Sequence, residues 1–152
     1  MTGPVPFDTT RMVRDRCLCL AAQRAARALA RRFDTALRPV GLTNGQFSLL
    51  HALNRADPPR LTDLAPFLAV DRTTLTAALK VLEREGLVAS TPDPADRRNR
   101  RLHLTGDGHA RLSRALPLWV AAHDALDATL PDDTIPALHH GLAALAHPPA
   151  TE

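Results

Sequence analysis

Four arginines, Arg97, Arg98, Arg100 and Arg101, crowd the stretch "DPADRRNRRLHLT". A guanidinium is permanently charged and presents a planar fork of donors, which suits bidentate contact with phosphate or entry into a narrow minor groove. Upstream, "DRTTLTAALK" offers Arg72, Thr73, Thr74, Thr76, Ala77 and Lys80. At helical spacing such side chains meet phosphates, base edges and thymine methyls, and none is bulky enough to bar a helix from a major groove. Asp96 precedes Arg98 by two positions, where a carboxylate can pair with a neighbouring arginine and hold a tight loop in shape. Asp93 is a competing partner, and both remain open at this level.

These groups need a hairpin and a helix to hold them. "LVASTPD" and "RLHLT" read as two strands flanking the arginine-rich tip. Before them, "LTDLAPFLAV" and "DRTTLTAALKVLEREGLV" are two helical patterns almost in contact, a helix, tight turn and helix. Thr62 is the expected cap of the first, with Pro66 in its first turns, where a missing N–H costs least. Asp71 caps the second; Leu75, Ala78, Leu79 and Leu82 form its buried stripe, and Gly86 supplies a left-handed stop. Together the segments make a winged helix-turn-helix, with the helix pair over 62–85 and the wing over 87–105. Thr43 caps a preceding helix that buries Phe47, Leu50 and Leu53, and "DPPR" is a turn.

Outside this 43–105 lobe lie long helical patterns over 11–38 and 106–147. The chain up to about Thr10, with Pro4 and Pro6, reads as a loose arm. Leu18, Ala22, Ala25, Leu29, Phe33 and Leu37 mark one face of a helix stopped by Pro39 and Gly41. Thr105 caps a helix through Leu112, Leu116, Trp119, Val120 and Leu126, bent at Pro117. A last helix after Pro131 carries Ile135, Leu138, Leu142 and Leu145. The fold class is thus mainly α with a small β-hairpin, a single unit of 152 residues.

Of the 19 basic residues all but Lys80 are arginines, none lies beyond Arg114, and the C-terminal quarter is acidic at Asp124, Asp127, Asp132, Asp133 and Glu152. This polarity, within a net charge of only +3, points to a polyanionic partner for one part of the molecule. There is no signal-peptide pattern and no apolar run long enough for a membrane span, so a cytoplasmic location without membrane contact is expected. The two cysteines, Cys17 and Cys19, are then reduced thiols. No nucleophile elbow, phosphate loop, zinc-protease motif or carboxylate pair is present, so no enzyme is read and no cofactor is implied. Of the seven histidines, His139 and His140 are adjacent and His103, His109, His123 and His147 are scattered without ligand spacing, so no metal site is read.

The segments "LTNGQFSLLHAL", "LTDLAPFLAVDRTTLTAALKVLEREGLV" and "DPADRRNRRLHLTGDGHARL", the last with an Asp-x-Arg wing signature at Asp96, Arg97 and Arg98, resemble the MarR family of transcription regulators. The resemblance runs from about residue 12 to 147. It implies a homodimer whose first and last helices interlock, leaving two winged lobes to read a pseudo-palindromic operator in double-stranded DNA, in most cases as a repressor. The apolar surplus on the terminal helices agrees, and two-fold symmetry would set the recognition helices about 34 Å apart.

The resemblance also implies a cleft for a small aromatic or acidic effector, for which Arg24, Arg27, His51, Trp119 and His123 are candidates. The plainer reading of these residues is a solvated arginine face and a core-edge histidine. A cysteine-based redox sensor is a further reading for Cys17 or Cys19, but the family's peroxide sensors surround their thiol with tyrosines and this chain has none. On one continuous helix the two thiols point about 200° apart and cannot bridge; buried packing thiols are the expectation. A winged helix used only as a protein-interaction module is the rival to DNA binding.

Overall fold

A computed structural model describes residues 3–146; His147 and Glu152 lie outside it. In chain order the elements are α1 (Phe7–Arg16), α2 (Leu18–Leu37), a 3-10 turn (Arg38–Val40), α3 (Asn44–Leu53), α4 (Leu61–Leu68), α5 (Arg72–Arg84), β1 (Val88–Pro92), β2 (Arg100–Leu104), α6 (Gly106–Asp127) and α7 (Thr134–Ala146). The two strands pair antiparallel in the register Val88 to Leu104, Ser90 to Leu102 and Pro92 to Arg100.

Caps explain most boundaries. At α3, Thr43 Oγ1 accepts from the Gln46 N–H and Gln46 Oε1 accepts from the Thr43 N–H, a reciprocal pair that satisfies two otherwise orphaned donors. Asp71 accepts from the Thr74 N–H at 2.9 Å to start α5. Gly86, at φ 72°, ends that helix, and the Leu87 N–H returns to the Leu82 carbonyl. Thr105 Oγ1 accepts from the Gly108 N–H and donates to the Gly86 carbonyl, so one hydroxyl ties the end of the wing to both α5 and α6. The cap expected at Thr62 is displaced: α4 begins at Leu61 after Arg60, whose N–H donates to Asp63. Pro66 consequently falls near the C-terminal end of that short helix, not in its first turn.

Leu37, Leu50, Leu53, Leu64, Leu75, Leu82 and Leu87 are fully buried and join α2, α3, α4, α5, the hairpin and the first turns of α6 into one core. Burying apolar area at roughly 25 cal/mol per Å² makes these leucines its main stabilising term. The expected single N-terminal helix is two, because the chain extends at Cys17 (φ −76°, ψ 99°). The loose arm is also corrected: Phe7–Arg16 is helical, with Pro6 at its N-cap, where proline's missing N–H costs nothing. Helix α6 runs through Pro117 uninterrupted.

On the terminal helices most of the apolar positions face outward, in keeping with the surplus read from the sequence. Leu18 is 67% exposed, and Leu116, Val120, Leu138, Leu142 and Leu145 are exposed as well. Only Phe33 and Leu37 of the α2 stripe are buried. Among the described residues no helix is long and apolar enough to cross a membrane.

Candidate nucleic-acid interface

Helix α5 divides its residues cleanly: Leu75, Leu79 and Leu82 go into the core, while Arg72, Thr73, Thr76, Ala77 and Lys80 line its outer side. Between that side and the hairpin lies a cleft of about 300 Å³, where Arg72 and Lys80 face Arg98 and Arg100 across Thr76. With Arg60 at its edge, five cations line this open cleft against Glu83 as its one acidic lining residue, which makes a strong local positive field. Thr74 stands apart, since its hydroxyl donates to Asp71 at 2.5 Å as part of the helix cap. That bond is the leading reason that the Asp71 carboxyl is held below its ordinary range. The Thr76 hydroxyl donates backwards to the Arg72 carbonyl at 2.7 Å.

The hairpin sorts the four arginines by role. Arg97 and Arg98 project from the tip, the Arg98 side chain 95% exposed with its Nε 3.6 Å from the Asp96 carboxylate, the pairing that the sequence raised. Asp96 shapes the turn beneath them: its carboxylate accepts from the Arg98 N–H (3.1 Å) and from Asn99 Nδ2, and its carbonyl accepts from the Asn99 N–H. Arg100 lies over β1, donating to the Ser90 hydroxyl and carbonyl. Arg101, expected to face DNA, is turned inward. Its Nε donates to the fully buried Asp93 at 3.1 Å, and its Nη1 reaches Asp57 and the Pro58 carbonyl.

Asp93 also receives Arg60 Nε at 2.6 Å. The Ala95 N–H first, then the Arg60 and Arg101 guanidiniums, hold its carboxyl below the usual range against the opposing effect of burial. The rivalry between the two aspartates resolves into separate jobs, Asp96 for the tip and Asp93 for the root of the wing. Arg60, whose backbone forms an isolated antiparallel bridge with Arg101, carries no local sequence signal, because its partners lie more than thirty positions away.

A MarR family model matches residues 42–99, which covers the helix pair and the wing up to its tip. Among solved structures, the Mycobacterium tuberculosis transcriptional regulator MOSR in complex with DNA is 40% identical, over 86% of this chain and 94% of that one, with a TM-score of 0.78. The chain belongs to the MarR family. The repressor CouR, solved on a 23-mer DNA duplex, is 35% identical over 89% of this MarR-family chain and 96% of its own, at a TM-score of 0.80. CouR bound to p-coumaroyl-CoA gives a TM-score of 0.79 at 32% identity over 88% of this chain and 94% of its own. The transcriptional activatory protein BadR of Rhodopseudomonas palustris is 41% identical over 48% of this chain and 43% of its own length. The chain spans about half the length of the curated relatives it matches.

In this MarR-family fold, three of the effector candidates converge and two do not. Trp119 and His123 of α6 meet Phe33 of α2 and Phe47 of α3, with His123 4.1 Å from the Trp119 ring and 4.7 Å from Phe33. His51 flanks the group, 6.0 Å from Phe47. Arg24 and Arg27 are exposed, and at about 100° per residue they stand roughly 180° and 120° around α2 from Phe33, so they do not line this cluster. The buried packing expected of the thiols is also corrected: Cys19 is exposed, and Cys17 is the half-buried N-cap of α2, its Sγ accepting from the Leu20 N–H.

Proposed function

We propose that this protein is a sequence-specific DNA-binding transcriptional regulator, a cytoplasmic repressor that grips a pseudo-palindromic operator as a homodimer and is released by a small aromatic or acidic effector. The observation that carries it is the cationic cleft between α5 and the wing, lined by Arg60, Arg72, Lys80, Arg98 and Arg100. The outer side of α5, with Thr73, Thr76 and Ala77 between Arg72 and Lys80, fits a major groove, and a tip with Arg97 and Arg98 reaches the flanking phosphates or minor groove. DNA complexes of MOSR and CouR support the same use of the surface. The exposed apolar faces of α1, α2, α6 and α7 supply the surface a dimer would bury.

The test is a titration of DNA at several salt concentrations. For a regulator, log affinity falls with log salt at about 0.9 per phosphate neutralised; a protein-interaction module gives weak, salt-insensitive binding. Arg98→Ala is expected to weaken binding on the order of tenfold and to flatten the salt slope by about one per subunit. Because Arg98 is almost wholly exposed, the thermal midpoint should not move. Unchanged affinity at moderate salt would sink the wing's role.

For the effector, the aromatic group of Phe33, Phe47, Trp119 and His123 is the supporting observation, alongside the p-coumaroyl-CoA complex of CouR. Trp119 is the sole tryptophan, so it reports on its own surroundings. Titrating an aromatic carboxylic acid should change its emission over the same concentration range that releases DNA. Release with no change in emission would place the effector elsewhere. The cysteine-based alternative predicts instead that an oxidant releases DNA and that Cys17→Ser or Cys19→Ser prevents it.

A further inference from the structure

The hydroxyls of α5 are less available than its sequence suggests. Thr74 spends its donor on Asp71, within the cap. Thr76 lines the cleft with Lys80, and with Ala77 it lines the outer side of α5, yet its hydroxyl is turned back on the Arg72 carbonyl one helical turn earlier. With Oγ1 held against the backbone, Cβ has one other heavy substituent to offer an incoming surface, the methyl. Ala77, next along the helix and exposed, offers a second methyl and no polar atom.

We infer that Thr76 and Ala77 form an apolar reader of thymine 5-methyl groups, so that the half-site carries thymine opposite this point of the helix and its specificity there comes from methyl contact, not from hydrogen bonds to a base edge. This deepens the DNA-binding reading and rests on it. The chemistry follows from the major groove, where thymine alone among the four bases projects a methyl, and small aliphatic groups are its natural partners. Polar readout falls to Arg72, Thr73 and Lys80, whose donors are not engaged by any of the helix's own hydrogen bonds described above. Lys80, one turn beyond Thr76 on the same face, suits a guanine or phosphate next to the methyl-bearing step. A β-hydroxyl bonded to the carbonyl four residues back is a common helical habit, so the arrangement needs no strain.

The experiment uses the full chain. DNA bound by it is selected from a random pool, and each thymine of the enriched half-site is then replaced in turn by deoxyuridine, which removes only the methyl. Affinity is measured for the wild type, Thr76→Val and Thr76→Ser, with circular dichroism to verify the helix. Expected is a loss on the order of fourfold for each buried methyl at one or two thymines, with affinity retained in T76V and a similar loss in T76S. Deoxyuridine at the sensitive thymine should then cost T76S little more. Affinity that is indifferent to every deoxyuridine, or lost in T76V and kept in T76S, overturns the methyl reader while leaving the DNA-binding reading intact. A pool that yields no salt-dependent enrichment removes the DNA-binding reading and this inference with it.

Discussion

Replacing Asp93 by alanine is expected to lower the thermal midpoint on the order of 10 °C and to weaken DNA binding, although Asp93 is wholly buried. Its carboxylate holds the Arg60 and Arg101 guanidiniums at 2.6 and 3.1 Å. Arg60 stands at the start of α4 and Arg101 within β2, so a single charge joins the helix pair to the wing. Removing one member of such a group leaves the others partly desolvated without a counter-ion, which costs more than the pair contributes when intact. The remaining exposure of Arg60, 36%, moderates that cost because water can reach it. Asp93→Asn separates charge from shape: it keeps an acceptor for the Ala95 N–H but cannot neutralise two cations. A variant melting at the wild-type temperature would show that the network does not anchor the wing.

The same carboxylate fixes the direction of pH dependence. Its folded-state pKa lies below the unfolded carboxylate value of about 3.9. The stabilisation is therefore fully present above that value and lost as pH falls through the depressed folded pKa. Asp71, shifted the same way through Thr74, acts in the same window. Acid denaturation should accordingly set in below about pH 4, whereas neither carboxylate contributes any pH dependence between neutral and mildly alkaline conditions.

Gly108→Ala is expected to damage the fold on the order of 3 kcal/mol or to prevent folding. A Cβ at this position would lie 2.1 Å from the Leu87 carbonyl oxygen and 3.1 Å from its carbon. Both are backbone atoms, so no side chain can swing aside. Leu87 O also accepts from the Thr105 N–H, and Gly108 N–H donates to Thr105 Oγ1, so the close approach is built into the junction of wing and α6. Relief requires α6 to lift away from the hairpin, breaking those bonds. Gly45 is the control: it is helical, and a Cβ there meets nothing, so Gly45→Ala should leave the midpoint unchanged or raise it. Equal behaviour of the two variants would contradict the steric account.

What was legible in the sequence was local. The stripe of Leu75, Leu79 and Leu82, the caps at Thr43, Asp71 and Thr105, and the stop at Gly86 each follow from residues a turn apart, and all stand where expected. The divided roles of the arginines depend on contacts across the fold, such as Asp93 with Arg60 and Arg101 with Asp57. Part of that division could have been read from strand alternation. In β2, Arg100 shares the face of Leu102 and Leu104, toward the cleft, and Arg101 takes the other. Thr62 misled because Asp63, one position on, does the capping by reaching back to the Arg60 N–H. Charge alone does not place Arg24 and Arg27 at the cleft, because their angular position on α2 turns them away from Phe33.

The outward-facing leucines of the terminal helices change what stability means for this molecule. Leu18, Leu138, Leu142 and Leu145 are about half exposed or more in the isolated chain, and a surface of that kind is costly in water unless another apolar surface covers it. In the proposed pair of subunits, unfolding becomes a reaction with different molecularity on its two sides, so dilution alone favours the unfolded chain. Subunits would also exchange. A copy with a disabled wing would therefore not be silent: sharing a pool with intact copies, it would draw them into mixed pairs with a single working grip on the operator.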